Sequence, residues 1–151
     1  MDVTHIAHFE RFFRRSAGLD VDKGDLRRYG DFVQGKTSDL LLRAQATAKA
    51  NGRDVIQPFD LPITKGLQES IHAYRRIRDE ADIEIEPSLR NLVRLPPLDL
   101  AYSEDVDTRL PEIAGGLSYA LACTFRIVNP ELKNPQFRDW EVAFKLFDLL
   151  L

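Results

Sequence analysis

From Thr4 to Arg15 the apolar residues Ile6, Phe9, Phe12 and Phe13 recur at helical steps, with Arg11, Arg14 and Arg15 elsewhere on the turn. "AGLDV" breaks that pattern, and "VDKGD" offers Asp22 or Gly24–Asp25 as a cap for the next element. From Asp25 a single apolar stripe (Leu26, Tyr29, Phe32, Val33, Leu40, Leu41, Ala44, Ala48) runs on to Asn51–Gly52, an ordinary helix stop. This spacing predicts one helix of roughly 26 residues, about 40 Å long. "DVI" at 54–56 is β-favouring but too short for more than a bridging strand. Pro58 or Asp60 is then expected to open a helix carrying Leu61, Ile63, Leu67, Ile71 and Tyr74, with Pro62 confining its regular part to the residues that follow.

The scheme then recurs. A short helix is expected around Pro87–Leu95, a second long helix from about Val106 to Val128, and a last helix from about Phe137 to Leu151 with Trp140, Phe144 and Phe147. A shift of 79 residues aligns Arg11 with Arg90, Arg15 with Arg94, Leu19–Val21 with Leu98–Leu100 and Asp60 with Asp139, without gaps. At so long a period such matches are easy, and the repeated order of short, long and shorter helix is the stronger signal. The expected units are residues 1–79 and 80–151.

Residues 30–37, "GDFVQGKT", spell the phosphate-loop pattern G-x-x-x-x-G-K-[ST]. The pattern is a mechanism only where the glycines open a loop between a buried strand and a helix, so that backbone N–H groups can cradle phosphates. Here "DLRRY" precedes Gly30, and Phe32 and Val33 stay in register with the stripe on both sides. The letters therefore belong to a helix, and no nucleotide is expected.

Composition narrows the class. The chain has 151 residues, 44% hydrophobic and 30% charged, which suits one ordinary domain or two very small ones. A single cysteine, Cys123, inside "SYALACTF" excludes a disulfide framework and reads as a packed thiol in a reducing compartment. No run reaches the roughly 18 apolar residues of a spanning helix, and the N-terminus lacks signal-peptide character, so a cytoplasmic protein without a membrane partner is expected. Charge is uneven: residues 1–78 hold 14 Lys/Arg against 10 Asp/Glu, and residues 79–151 hold 7 against 14. The halves could attract one another, or the basic half could attract a polyanion. His5 and His8 could share a metal with Glu10 or Asp2, but two histidines on a terminal helix read as solvated groups. "DVDKGD" begins like a calcium loop but lacks the later Gly and bidentate Glu, so turn chemistry is preferred. No metal or cofactor is expected. No nucleophile, base and orienter converge, so no enzyme is expected.

The order short helix, long helix, short helix with two small β-like links resembles the histone fold. "LRAQATAKANGRDVIQPFDL" is similar to the histone passage from the long helix into the last one, where an Arg pairs with an Asp seven residues later; here these are Arg53 and Asp60. In the second half Leu132 stands in place of that Arg. The whole chain, with "DLPITKG" after the second link, resembles a bacterial family in which two histone folds are fused head to tail. The resemblance implies an all-α fold of two tandem histone-fold copies forming an intramolecular pseudo-dimer. Its long helices would cross antiparallel near their centres, with Gly30, Gly35, Gly115 and Gly116 at the crossing.

The resemblance also implies DNA contacts, with Arg11 and its counterpart Arg90 entering the minor groove. Adding the nearby cations, the expected DNA-binding set is Arg11, Arg14, Arg15, Lys23, Arg27, Arg28 and Arg90, on double-stranded DNA in the nucleoid. Against it stand Asp20 and Asp99, where an Arg is usual, Val55 in place of a Thr, and Asp54 in place of a Lys. With a pI of about 5.6, the other expectation is an interaction module that binds another protein or itself, without DNA.

Overall fold

The computed structural model describes residues 3–151; the Asp2 considered as a metal ligand lies outside them. Helix α1 (Val3–Ala17) is followed by α2 (Lys23–Ala50), a 28-residue helix that carries the first apolar stripe unbroken. Asp22 opens α2 with a capping box: its Oδ1 accepts from the Asp25 N–H at 2.8 Å, and Asp25 Oδ2 accepts from the Asp22 N–H at 3.0 Å. Strand β1 (Val55–Ile56), a 3-10 turn at Pro58–Asp60 and α3 (Lys65–Glu80) complete the first half. The helix expected to open at Pro58 is regular only beyond Pro62, as expected, and its start is the 3-10 turn. Pro62 interrupts it, and Thr64 supplies a new cap, accepting from the Leu67 N–H at 3.1 Å.

The second half runs α4 (Glu86–Leu92), β2 (Ala101–Tyr102), α5 (Glu104–Val128) and α6 (Phe137–Leu150). Helix α4 stops at Leu92, short of the expected Leu95, because Pro96–Pro97 drive the preceding residues into extended backbone. Pro111 sits inside α5 and cannot donate to the Asp107 carbonyl; Arg90 Nη2 reaches that oxygen at 3.5 Å.

The halves are joined link to link. β1 pairs with β2 in parallel, Val55 opposite Ala101 and Ile56 opposite Tyr102. At the other pair of links the Asp20 N–H donates to the Lys133 carbonyl at 2.7 Å. The core is shared. Phe9 and Phe13 each meet the Tyr29 ring edge-on at 5.1 Å, Phe13 reaches Trp140 at 6.4 Å, and Trp140 packs on Phe125 at 4.8 Å. Tyr29 and Ser118 hydrogen-bond at 2.7 Å between the two long helices.

The glycines do not serve that contact. A Cβ on Gly115 would come within 2.5 Å of the Tyr74 ring, and one on Gly116 within 2.5 Å of Ile71 Cγ1 and 3.1 Å of its backbone N. Both admit α3 against α5. Gly30 faces Leu92 of α4, and Gly35 faces nothing within 4 Å. Cys123 is half-buried rather than part of the packed core.

Candidate functional site

The phosphate-loop letters lie wholly within α2. Thr37 Oγ1 donates back to the Val33 carbonyl at 2.8 Å, and Lys36 Nζ donates to Asp148 of α6 at 2.6 Å. The backbone N–H groups of a helix interior are spent on its own ladder, so no phosphate cradle exists there.

Arg53 and Asp60 form the tightest ionic contact of the links. Arg53 Nη1 donates to Asp60 Oδ2 at 2.7 Å and Nη2 to Oδ1 at 2.5 Å, and Oδ2 also accepts from the Gln57 N–H at 2.8 Å. The Asp60 carboxyl is fully buried, and the Arg53 hydrogen bonds hold it below the usual aspartate range. In the second half Asp139 repeats only the turn, accepting from the Gln136 N–H at 2.8 Å. Arg126 ties those links instead. It donates to the carbonyls of Ala17, Gly18 and Pro130, bridging the first link of one half and the second link of the other. Nothing local marks that role, since the Gly18 and Ala17 partners lie 108 and 109 residues away.

Asp25 is a second node. Buried at the start of α2, it accepts from Trp140 Nε1 at 3.0 Å and from Arg28 Nη1 at 3.4 Å. Burial is the main cause that raises its carboxyl above the ordinary value.

The seven cations expected to meet DNA divide in two. Arg11 donates to the Ala81 carbonyl at 3.1 Å, Arg14 to Asp20 at 3.2 Å, Arg28 to Asp25, and Arg90 to Asp107 at 3.4 Å. Arg15, Lys23 and Arg27 are exposed and have no ion pair among the described residues. Asp99, the other misplaced carboxylate, accepts from Lys49 at 2.6 Å, which holds it below its ordinary range. The uneven charge is thus largely spent between the halves, where Lys36–Asp148, Lys49–Asp99, Arg75–Glu112 and Arg78–Glu86 pair.

His5 and His8 are not solvated free groups. Both Nδ1 atoms meet the buried Ser88 hydroxyl, His8 at 3.2 Å, and Asn91 Nδ2 lies 3.0 Å from His5 Nε2. This network fastens α1 to α4. Beside it opens a cleft of about 810 Å³ between α1, the first turns of α2 and α4. Among the described residues no group of three His, Cys, Asp or Glu side chains could hold a metal. No described helix is long and apolar enough to cross a membrane.

Fold and site together define a mostly helical protein in which, among the described residues, cations around one link and its adjoining cleft have no ion pair. The chain belongs to the family described as "Domain of unknown function (DUF1931)", whose model matches residues 9–148. It is similar to two uncharacterized proteins of Aquifex aeolicus (strain VF5). One is 30% identical over 72% of this chain and 62% of its own length; the other is 27% identical over 85% and 81%. A crystal structure from Thermus thermophilus superposes with a TM-score of 0.86 at 51% identity, covering 97% of each chain. One from Aquifex aeolicus gives 0.84 at 25% identity, over 97% of this chain and 95% of that one.

Proposed function

We propose that the chain is a fused pair of histone folds that binds duplex DNA weakly, without sequence preference, through the link at residues 18–22. The observation that carries this reading is the reciprocal pairing of links across the halves, β1 on β2 and Asp20 on Lys133, with Arg15, Lys23 and Arg27 left exposed at one of the two junctions. In a histone pair such junctions are where the phosphate backbone is met. Arg11, Arg14, Arg28 and Arg90 must exchange a protein partner for a phosphate, which keeps affinity low.

The test is a mobility-shift titration on random-sequence duplex at two salt concentrations. Three phosphate contacts give a log–log salt slope of about −3. Replacing Arg15, Lys23 and Arg27 by Glu together should abolish the shift. Asp20→Arg should tighten binding by freeing Arg14 and removing a repelled carboxylate. No shift at low salt for wild type and Asp20→Arg rejects DNA binding.

A second reading, a protein-interaction module without DNA, is favoured by the apolar side chains exposed at the ends of α5 and α6. Ile127 is 79% exposed, Leu149 82% and Leu150 77%. It predicts self-association or partner binding unaffected by the triple Glu variant. Neither reading requires a cofactor or a catalytic step.

A further inference from the structure

The cleft beside the His5–Ser88–Asn91 network combines features that surface charge alone does not produce. Its volume, about 810 Å³, lies in the range of pockets that hold small organic ligands. Its lining includes the partly buried Ile6 and Leu92, backed by the buried Phe9 and Leu26, so part of the wall is apolar. Around the cleft stand three cations, Lys23, Arg27 and Arg94, against one carboxylate, Asp31. None of the three cations has an ion-pair partner among the described residues. The walls are fixed in advance: His5 and His8 on α1 hold Ser88 of α4, whose hydroxyl is buried. A rigid, partly apolar hollow with an excess of unpaired cations is unfavourable to leave filled with water and favourable to fill with a group that is both apolar and anionic.

We propose that this cleft binds a small amphipathic organic anion, a phosphate monoester or carboxylate carrying an aromatic or aliphatic body. Lys23 and Arg27 lie one turn apart on the same face of α2 and take the anionic group between them. The body lies against the partly exposed Ile6 and Leu92, and the Asn91 and Gln34 amides of the lining meet polar substituents. The cleft ligand is distinct from the DNA proposed above, although both use Lys23 and Arg27. The proposal does not rest on the DNA reading.

Phenyl phosphate, inorganic phosphate and benzyl alcohol are titrated into the full chain at constant ionic strength, by calorimetry and amide chemical shifts. Phenyl phosphate should bind saturably at one site and more tightly than either fragment, with shifts centred on α1, α4 and the start of α2. Gly30→Leu plugs the cleft, where a Cβ would already stand 3.3 Å from Leu92 Cδ2, without touching a cation. Ile6→Trp plugs it from the α1 wall and serves if Gly30→Leu lowers the melting temperature. Either plug, and separately the Lys23→Gln/Arg27→Gln pair, should weaken phenyl phosphate at least about tenfold. The plugs should leave the DNA mobility shift unchanged, which separates this proposal from the DNA reading. Absence of saturable phenyl phosphate binding overturns the proposal. So does binding that both folded plugs leave unchanged, because the anion would then sit on bare surface charge.

Discussion

Single side chains decide how the links are held. Asp60 is buried, and its charge is tolerable because Arg53 donates to both oxygens and the Gln57 N–H to one. Arg53→Ala strands that carboxylate and should lower the melting temperature by several degrees, measured by circular dichroism near pH 7. The pH dependence has a defined sign. Arg53 depresses the folded-state pKa of Asp60, so its stabilisation is complete above the ordinary value of 3.8 and is lost as pH falls through the lower folded value. The gap between wild type and Arg53→Ala should therefore narrow in acid. A gap that is constant down to strongly acidic pH would mean the ion pair contributes nothing. The pair was expected from the resemblance to the histone fold, in which an Arg meets an Asp seven residues on. Arg126 was not, because the carbonyls of Ala17 and Gly18 belong to the other half of the chain.

Among the elements, α5 is the one that others approach most closely. Gly115 and Gly116 sit under Tyr74 and Ile71 of α3, while Gly35 in α2 has open space. The same substitution should thus act with opposite signs. Gly35→Ala gains helix propensity and should stabilise by about 0.5–1 kcal/mol. Gly116→Ala gains the same propensity but meets the Ile71 backbone, and overpacking of this kind costs typically about 1–3 kcal/mol. Chemical denaturation of both variants checks the pair; equal effects would mean that α3 does not lie on α5 as described. From the sequence, Gly30, Gly35, Gly115 and Gly116 read alike as contact points between long helices. Which neighbour each one meets depends on side chains far away along the chain, and only packing selects it.

At the scale of the whole chain, the halves share one core. Trp140 of α6 packs on Phe13 of α1 and donates to Asp25 at the start of α2. Ile71 and Tyr74 of α3 cover glycines of α5. Unfolding should accordingly be a single transition, with Trp140 fluorescence and far-ultraviolet circular dichroism coinciding. Residues 1–79 alone should fail to give a cooperative transition, since Tyr29, Ile71 and Tyr74 would lose their partners. Two separate transitions in the intact chain would show that the halves fold independently. The same scale explains the weak DNA affinity that is proposed. The basic surplus of the first half is matched against carboxylates of the second, at Lys36–Asp148, Lys49–Asp99 and Arg75–Glu112.

The six helices, their approximate ends and the helical nature of "GDFVQGKT" followed from the sequence. Periodicity, caps and prolines act within one or two turns, and the information they need is adjacent in the chain. The Arg53–Asp60 contact was legible only through the resemblance to the histone fold. The pairing of β1 with β2, the neighbours of the glycines and the cleft between α1, α2 and α4 were decided by tertiary structure. So was the division of the expected DNA-binding set into Arg15, Lys23 and Arg27, which have no ion pair among the described residues, and Arg11, Arg14, Arg28 and Arg90, which have protein partners. Arg14 and Arg28 are neutralised by acids six and three residues away, Asp20 and Asp25, whereas Arg11 and Arg90 find partners 70 and 17 residues off. A cation's spacing along a helix gives the face it occupies, but whether it is free depends on what the rest of the chain brings to that face.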